Sequence, residues 1–465
     1  MKSAAWPRPG STRDLPPART DHSFAGFVAR ARLRGELVVQ PRMGFSDPAE
    51  MRRGLLATRQ ARATSVGTIT LDSYTRVRDY RSAARALTSG APLNGYPILT
   101  HRPETTRELL DAVRGPDFPV QVRHGSALPY DIVEGLMAFG LDATEGGPLS
   151  YCLPYSRVPV RDSIRDWART CRLFARLRET GVEPHLESFG GCMLGQLCPP
   201  SLLIAISVLE GLFFRRHGLH SVSLSYAQQT NPDQDAEALR ALNTLAAEYL
   251  SGLDWHIVLY TYMGVYPASR AGSLRLLCDS AELAVRGGAA RLIVKTSAEA
   301  VRIPTVTENV EALELAGAVA HAASAASENP GGAMGPSPVR SPDTGLLDEA
   351  RTLIEAVLDL HCELDSALLR GVERGYLDVP YCLHPDNPGR TRSMLDDEGR
   401  LGWSETGSLP IRDPARTAGP TANRRADSSD LLSALSYVKN RYDRDAEWPS
   451  AVEAPKVLTA GKAEV

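Results

Sequence analysis

One lysine stands alone across the central part of this 465-residue chain. The sequence carries 52 lysine and arginine residues, yet Lys295 is the only lysine between Lys2 and Lys439. An arginine fork is planar and permanently charged, whereas a lysine amine is compact and can lose its proton when it is buried. Lys295 follows the apolar run Leu292-Ile-Val294, which is typical of a strand that delivers a side chain to an active face. The residue type indicates a site that needs an amine, for example as a nucleophile toward a carbonyl group.

Three arginines follow early apolar runs in the same way. Arg42 lies in Pro-Arg-Met-Gly, Arg76 in Asp-Ser-Tyr-Thr-Arg, and Arg123 in Gln-Val-Arg-His-Gly. Guanidinium groups that meet in one cavity repel one another unless an anion joins them. The pattern therefore predicts a ligand with carboxylate or phosphate groups, and ordinary surface ion pairing is the alternative.

A glycine turn with two tyrosines forms a third candidate group, in the segment Thr144–Tyr155. Two glycines follow Glu145, which allows the backbone to turn sharply and to approach a ligand closely. Pro154 opposes a continuous helix, so Tyr151 and Tyr155 return toward the same edge. Such a group could bind an ammonium through Glu145 and a carboxylate through the phenols. Tyrosines packed in the wall of the fold are the alternative.

These residues support competing chemical interpretations. Lys295 and Glu299 share a face if a helix begins at Thr296, and a plain helical salt bridge would also explain their spacing. A strand-end lysine by itself suggests a Schiff-base aldolase. The three arginines with Glu145 suggest an enzyme of amino diacids instead, or a barrel that only binds such a ligand.

Short apolar runs that alternate with helical patterns must position these side chains. An α/β class follows, either a (β/α)8 barrel or a doubly wound sheet. The barrel is favoured because charged residues follow many of the runs and because the sequence has no GxGxxG or Walker pattern. A barrel needs eight strands, so one of nine runs is misread or lies outside: Leu37–Gln40, Ser65–Leu71, Tyr96–Thr100, Pro119–Arg123, Leu141–Thr144, Pro184–Phe189, Ser221–Tyr226, His256–Met263 and Arg291–Thr296.

Helical patterns and composition divide the chain further. Helices are predicted at Ser163–Thr180, Leu202–His217 and Asp235–Leu250, and another from about Leu346 to Arg374. The stretch from His321 to Asp343 is rich in Ala, Ser, Gly and Pro, as a flexible linker is. The fold class is a TIM-type (β/α)8 barrel with a C-terminal α+β extension. Its predicted parts are a disordered segment 1–25, a catalytic barrel 26–320, a linker 321–343, an extension 344–450 and a disordered tail 451–465.

Composition excludes several classes of protein. With 43% hydrophobic and 23% charged residues and a formal charge of −3, the chain lacks the basic excess of a nucleic-acid-binding protein. No run has the length of a membrane span and no signal-peptide core opens the sequence, so a cytoplasmic location is expected. The seven cysteines form no CxxC pair or zinc pattern, so all seven are predicted to be reduced residues of the core or of the site lining, and no metal site is expected.

In combination, these segments resemble the large (epsilon) subunit of glutamate mutase, also called methylaspartate mutase. The resemblance is collinear over about residues 37–310. The segments that carry it are Gln121-Val-Arg-His-Gly125, Thr144–Tyr155, Gln234–Leu242 and Ile293-Val-Lys-Thr-Ser-Ala-Glu-Ala300.

The resemblance implies a function and a set of site residues. Members of that family interconvert L-glutamate and (2S,3S)-3-methylaspartate with adenosylcobalamin, whose adenosyl radical removes a hydrogen atom before the substrate radical fragments and recombines. Arg42, Arg76 and Arg123 would clamp two carboxylates, with Glu145 holding the amino group and assisting proton movement. The substrate cage would be completed by His124, Tyr151 and Tyr155. The matching cofactor contacts are Gly44, Asn94, Pro154, Tyr266, Lys295, Glu299 and Ile303.

Some positions depart from the family pattern. Tyr266 stands where the family has phenylalanine, Arg302 replaces a glycine near the cofactor, and Gly191 replaces a proline. Of these, Arg302 adds charge and bulk, and we interpret all three as tuning of the site.

The resemblance also implies partners. The Asp-x-His-x-x-Gly sequence that supplies the lower cobalt ligand is absent, since Asp254-Trp-His-Ile-Val-Leu259 lacks the glycine and lies in a predicted strand. His256 is therefore interpreted as a core histidine. A separate small (sigma-type) cobalamin-binding subunit would supply the ligand, in an assembly of two large and two small subunits.

Overall fold

Eight short parallel strands form one sheet in the computed structural model of the chain, which describes residues 23–193, 197–328, 343–411 and 428–445. Neighbouring strands follow the order β1-β8-β7-β6-β5-β4-β3-β2. An isolated parallel bridge joins Val39 to Ser65 and brings the two ends of the sheet together. The predicted barrel is therefore confirmed. Its strands are β1 (Val38–Gln40), β2 (Gly67–Thr70), β3 (Val120–Arg123), β4 (Ala143–Gly146), β5 (His185–Ser188), β6 (Ser221–Ala227), β7 (Asp254–Tyr260) and β8 (Arg291–Ile293).

One of the nine predicted runs, Tyr96–Thr100, is not a strand. Tyr96 N donates to Thr70 O at 2.8 Å and makes an isolated bridge with Leu71. The chain then turns, with Thr100 N donating to Pro97 O at 2.8 Å. Because Pro97 has no N–H group, it cannot continue a ladder of hydrogen bonds. The run was read as a strand from its apolar character alone, and that prediction was wrong.

Helices surround the sheet and connect its strands. Several begin at side-chain caps: Asp47 accepts from Glu50 N, and Asn231 accepts from Asp233 N and Gln234 N, which satisfies amides that the first helical turn leaves unpaired. The three barrel helices predicted from the sequence correspond to α7 with the 3-10 helix Arg176–Thr180, α8 and α9. The helices are α1 (Phe24–Leu33), α2 (Pro48–Gln60), α3 (Ser73–Arg76), α4 (Tyr80–Ser89), α5 (Pro103–Val113), α6 (Tyr130–Ala138), α7 (Val160–Ala175), α8 (Pro200–Arg216), α9 (Pro232–Tyr249), α10 (Arg270–Arg286) and α11 (Val306–Glu328).

A smaller α+β region follows the barrel. It consists of α12 (Leu346–Leu358), α13 (Leu364–Arg374), an antiparallel hairpin of β9 (Arg392–Leu395) and β10 (Leu401–Glu405), and α14 (Ser428–Asp445). The single helix predicted from Leu346 to Arg374 is wrong, because the chain leaves helical geometry between Leu358 and Leu364. The extension itself is confirmed.

Some of the predicted boundaries between parts of the chain differ from those in the structure. Helix α11 continues to Glu328, inside the segment predicted as a linker from residue 321, so that start is too early. Most of the predicted linker (329–342), the predicted tail (451–465) and most of the predicted N-terminal segment (1–22) lie outside the described residues.

The strands bury both of their faces, and the barrel interior carries a polar layer. Every residue of β1, β3, β4, β5, β6 and β8 is buried. The interior polar side chains are Gln40, Gln121, Glu187, Ser223, His256 and Arg291. His256 accepts a hydrogen bond from Arg291 Nε at 2.9 Å and stacks on His185, which confirms that it is a core histidine. No helix in the described ranges is both long and apolar enough to cross a bilayer.

Candidate active site

Arg123 and Glu145 form a buried ion pair at the carboxyl ends of neighbouring strands. Arg123 ends β3 and Glu145 lies near the end of β4. Arg123 Nε donates to Glu145 Oε2 at 2.7 Å, and the two residues are only 6% and 1% exposed. The Tyr151 hydroxyl donates to Glu145 Oε1, and the Tyr260 hydroxyl lies 2.8 Å from Glu145 Oε2. The fold therefore brings together three residues that the sequence had placed in one site.

Arg123 stays charged and Tyr151 stays protonated over the ordinary pH range. Burial opposes the charged form of Arg123, but Glu145, Tyr260 and Tyr151 together outweigh it and raise the pKa of the guanidinium well above its usual value. Burial and the same carboxylate raise the pKa of Tyr151. Arg123 Nη2 donates to the Tyr260 oxygen at 3.3 Å, and no described residue accepts from Arg123 Nη1. One edge of a permanently charged fork is thus open to an incoming carboxylate.

The glycine turn after Glu145 is fixed from below by Glu210 of α8. Gly146 has a φ of 129°, which favours glycine, and a Cβ at Gly147 would lie 2.1 Å from the Glu210 carboxyl group. Glu210 Oε1 accepts from Leu149 N at 3.0 Å and Ser150 N at 2.9 Å. Glu210 thus orients the loop that carries Tyr151. No role was predicted for Glu210 from the sequence.

Glu210→Gln should remove a pH dependence of stability. Burial raises the pKa of Glu210 to about 7, although its hydrogen-bond donors oppose the shift. A carboxyl group whose pKa is higher in the folded state stabilises that state at low pH and loses this contribution as pH rises toward 7. The variant lacks this titration, so the difference between wild-type and variant unfolding free energies should change by roughly 3 kcal/mol between about pH 4 and about pH 8.

Urea unfolding of both proteins across that range measures the effect. Glu108→Gln, at an exposed position of α5, is the control and should show no comparable change. A constant difference between wild type and Glu210→Gln would contradict the raised pKa.

His124 is buried as a neutral ring beside this pair. Its ring stacks on Trp167 with 5.8 Å between centroids and meets the Tyr151 edge at 5.3 Å. Burial lowers the pKa of His124 to about 3. Since Nδ1 accepts from Ser126 N at 2.9 Å, the proton resides on Nε2, which is buried with no hydrogen-bond partner. An unused donor of this kind suits a carboxylate oxygen of a ligand.

Arg76 and Tyr155 lie farther out, on a cavity of about 580 Å³ that Pro154 also lines. The Arg76 side chain packs over Gly125, where a Cβ would lie 3.0 Å from Arg76 Cδ. Arg76 Nε is buried without a partner, and Arg76 has no ion pair with a described residue. Tyr155 is 41% exposed, and its ring lies 5.9 Å from that of Tyr151. Arg76 is therefore a cation without an internal counter-ion.

Arg42 belongs to a second group that includes Lys295. Arg42 Nη1 donates to Glu299 Oε2 at 3.1 Å, and Lys295 Nζ lies 3.6 Å from the same oxygen. The Lys295 amine also donates to Tyr262 O at 3.3 Å and sits 4.6 Å from the centre of the Tyr266 ring. Burial lowers the pKa of Lys295 to about 8, against the effect of Glu299. Internal carboxylates thus balance Arg42 and Arg123, which the sequence argument had not considered.

The other predicted cofactor contacts lie on loops after the strands. Gly44 approaches the sheet so closely that a Cβ would lie 2.5 Å from Thr70 O. Asn94 Oδ1 accepts from Ser73 N at 3.0 Å. Ile303 is 58% exposed. The neighbouring Arg302 is held by Glu308 through bonds of 2.6 and 2.9 Å, so its charge is neutralised within the chain.

Sequence reasoning assigned no role to three residues that support the site. Tyr260 contacts Glu145, and Glu187 hydrogen-bonds both Tyr260 and Arg291. The available signals were weak: a phenol inside an apolar run, and charged residues at the end of β5 and the start of β8. Only the closed sheet shows that these positions meet.

All seven cysteines are free thiols, as predicted, but Cys362 is exposed, so the prediction that all of them line the core or the site is wrong for that residue. Within the described ranges, no three His, Cys, Asp or Glu side chains are grouped as metal ligands.

Comparisons with known proteins agree with the geometry. A sequence model described as methylaspartate mutase E chain (MutE) matches residues 17–430. The glutamate mutase epsilon subunit of Desulfitobacterium hafniense (strain Y51) is 32% identical over 405 residues, covering 84% of this chain and 81% of the relative. The protein of the same description from Halobacterium salinarum is 31% identical over 424 residues, covering 89% and 86%. The one from Escherichia coli O157:H7 is 29% identical over 401 residues, covering 83% and 81%.

Proposed function

This chain belongs to the methylaspartate mutase E chain family, and we propose that it is the catalytic, epsilon-type subunit of a glutamate mutase. It would interconvert L-glutamate and (2S,3S)-3-methylaspartate. The observation that carries the proposal is the buried Arg123–Glu145 pair with one guanidinium nitrogen still unused. An amino acid presents a carboxylate and an ammonium side by side, and this pair is complementary to both.

The charges around the pair suit a dicarboxylic amino acid. Arg123 would bind one carboxylate, and Arg76, which has no ion pair with a described residue, would bind the other. Arg42, which pairs with Glu299 beside Lys295, would lie next to them. His124 Nε2, Tyr151 and Tyr155 would complete the cage, and Glu145 would hold the ammonium and move a proton. Small reactive fragments must be kept in register during a rearrangement of the carbon skeleton, so several converging donors are needed.

The residues around Lys295 fit adenosylcobalamin. Glu299 Oε1 and the Tyr266 hydroxyl are buried without hydrogen-bond partners, beside a buried amine, which suits the hydroxyl groups of a ribose. The bound cofactor supplies the radical that removes a hydrogen atom from the substrate. The residues that would hold it are Gly44, Asn94, Pro154, Tyr266, Lys295, Glu299 and Ile303.

A separate small subunit would supply the lower cobalt ligand. The histidine of the Asp254-Trp-His segment is committed to Arg291 inside the barrel. Apolar side chains are exposed on loops after the strands, as at a docking surface: Tyr155, Val265, Val301 and Ile303. We propose a sigma-type partner with an Asp-x-His-x-x-Gly sequence, in a heterotetramer that contains two copies of this chain.

Reconstitution tests the proposal. The chain, a sigma-type subunit and adenosylcobalamin together should convert glutamate to methylaspartate and give a radical signal that depends on glutamate. Omission of the small subunit should abolish both. Intact cofactor binding without turnover would refute the assignment, and calorimetric binding of glutamate without a radical signal would indicate a barrel that only binds.

A Schiff-base aldolase is the second candidate, because burial lowers the pKa of Lys295 to about 8 and so favours a reactive amine. The ion pair with Glu299 and the cover provided by Tyr266 oppose it, since they occupy the space around the amine. Borohydride trapping of a carbonyl substrate on Lys295 would favour the aldolase over the mutase.

A further inference from the structure

The Tyr260 hydroxyl lies between two buried carboxylates inside the barrel. It is 2.8 Å from Glu145 Oε2 and also hydrogen-bonds Glu187 Oε1. Arg123 Nη2 donates to the same hydroxyl oxygen at 3.3 Å, and the guanidinium carbon lies 5.1 Å from the centre of the Tyr260 ring. Tyr260 therefore touches both members of the Arg123–Glu145 pair and a second carboxylate.

The number of protons in this group is smaller than the number of acceptors. The phenol has one hydrogen, which burial keeps in place by raising the pKa of Tyr260 well above its usual value. That hydrogen can be donated to Glu145 or to Glu187, but not to both at once. No other described donor reaches Glu187 Oε1, whereas Arg123 Nε also donates to Glu145 Oε2. When the phenol donates to Glu187, its oxygen still lies 2.8 Å from Glu145 Oε2 and limits where that oxygen can lie, and Glu145 can then accept a further donor. An ammonium group brings three.

Glu187 is held firmly from the opposite side. Arg291 Nη2 donates to Glu187 Oε2, which also accepts from Gln121 Nε2 at 3.3 Å. Arg291 in turn donates to Gln40 Oε1 at 2.6 Å and to His256 Nε2 at 2.9 Å, and it is fully buried. These contacts come from β1, β3, β5, β7 and β8, so the fold fixes the position of Glu187 and, through it, that of the Tyr260 hydroxyl.

We propose that Tyr260, anchored by the Glu187–Arg291 ion pair, is a positioning residue that orients Glu145 to receive the ammonium group of the substrate. This inference rests on the proposed function. It predicts that loss of the Tyr260 hydroxyl weakens the binding of a diacid with an amino group much more than the binding of the same diacid without one.

Tyr260→Phe separates the hydroxyl from the ring. The phenyl group keeps the ring contacts with Arg123 and with Phe189, whose ring centroid lies 5.5 Å away, but it loses the hydroxyl contacts with Glu145, Glu187 and Arg123 Nη2. Affinities are measured by calorimetry on the complex with the small subunit and cyanocobalamin, which supplies the corrin but no adenosyl radical. Glutamate should bind about tenfold more weakly than to wild type, while glutarate, which lacks the amino group, should bind within about twofold.

Tyr226→Phe is the matched control for folding. Tyr226 is equally buried, and its hydroxyl donates to a buried carboxylate, Asp235 Oδ1, at 2.8 Å. It lies on β6 against α9, away from Glu145. The control should leave the affinities for both ligands unchanged. If Tyr260→Phe does not fold, Glu187→Asp serves instead, because it keeps a negative charge for Arg291 while drawing the carboxylate away from Tyr260. It should show the same selective loss.

The outcomes separate this inference from the proposed function. Equal weakening of glutamate and glutarate in the variant, or no weakening of either, would overturn the positioning role of Tyr260. Failure of the wild-type complex to convert glutamate would overturn the proposed function itself. If the wild-type complex is active, Tyr260→Phe should also show a higher KM for glutamate than wild type.

Discussion

Arg123→Lys should reduce kcat/KM for glutamate about a thousandfold while the chain still folds and binds its cofactor. The guanidinium donates through Nε to Glu145 at 2.7 Å and through Nη2 to Tyr260 at 3.3 Å, which leaves Nη1 for a carboxylate. A lysine amine is a point charge on a flexible stem and cannot hold these three directions together. Loss of two charge-assisted bonds at about 2 kcal/mol each corresponds to this factor.

Steady-state kinetics of the reconstituted complex measures the effect, with cofactor affinity determined in parallel. Arg178→Lys is a suitable control, since Arg178 also uses its fork within the fold, donating to Gly218 O at 2.6 Å and to Glu183 Oε1 at 3.2 Å. It should retain wild-type turnover. Wild-type turnover in Arg123→Lys would remove Arg123 from the substrate site.

The barrel could be predicted from the sequence because each strand leaves a local signature. Strands buried on both faces are short apolar runs, and six of the eight strands lie wholly or almost wholly within the predicted runs. Strand β4 continues two residues past its run, to Gly146, and β7 begins two residues before its run, at Asp254. The error at Tyr96–Thr100 arose because an apolar run with one bridge looks like a strand in sequence. Pro97, which has no N–H group for a strand ladder, was the one local signal against a strand. The break between α12 and α13 escaped notice because Asp359 to Glu363 contains neither glycine nor proline.

The predicted site shows the same limit. Arg123, Glu145 and Tyr151 could be associated because each lies at or just beyond a strand end, and those ends meet at one mouth of a barrel. The role of Tyr260 depends on which side of β7 faces the interior, and that of Glu210 on how α8 packs beneath a loop. Neither relation is encoded in local spacing, so both required the folded chain.

The proposed function would assign one group of charges to the substrate and the other to the cofactor. Arg123 is balanced by Glu145, whereas Arg42 and Lys295 share Glu299. Tyr155 lies beside the Arg123–Glu145 group, with its ring 5.9 Å from that of Tyr151. Arg42 was predicted to clamp the substrate, and its bond to Glu299 means that it would also fix a residue proposed to bind the cofactor. A ligand bound to one group would therefore change the position of charged side chains in the other, through Arg42.

Lys295→Met should weaken cofactor binding to the reconstituted complex about a hundredfold. Methionine fills a similar volume, but it cannot donate to Tyr262 O at 3.3 Å or pair with Glu299 at 3.6 Å. Glu299 would then pair with Arg42 alone and lose the orientation in which its unpartnered Oε1 would bind the proposed ribose. A charged donor removed from a buried site costs about 2 to 3 kcal/mol, which is the basis of this factor.

Spectroscopic titration of the complex with adenosylcobalamin measures affinity without relying on turnover. Lys295→Arg should not restore it, because a longer, planar fork cannot place a compact ammonium within reach of both Tyr262 O and Glu299. Lys439→Met is the matched control, since Lys439 pairs with Asp443 at the same four-residue spacing, at 3.2 Å, but on α14. Equal affinities for wild type and Lys295→Met would show that the isolated lysine serves the fold and not the cofactor.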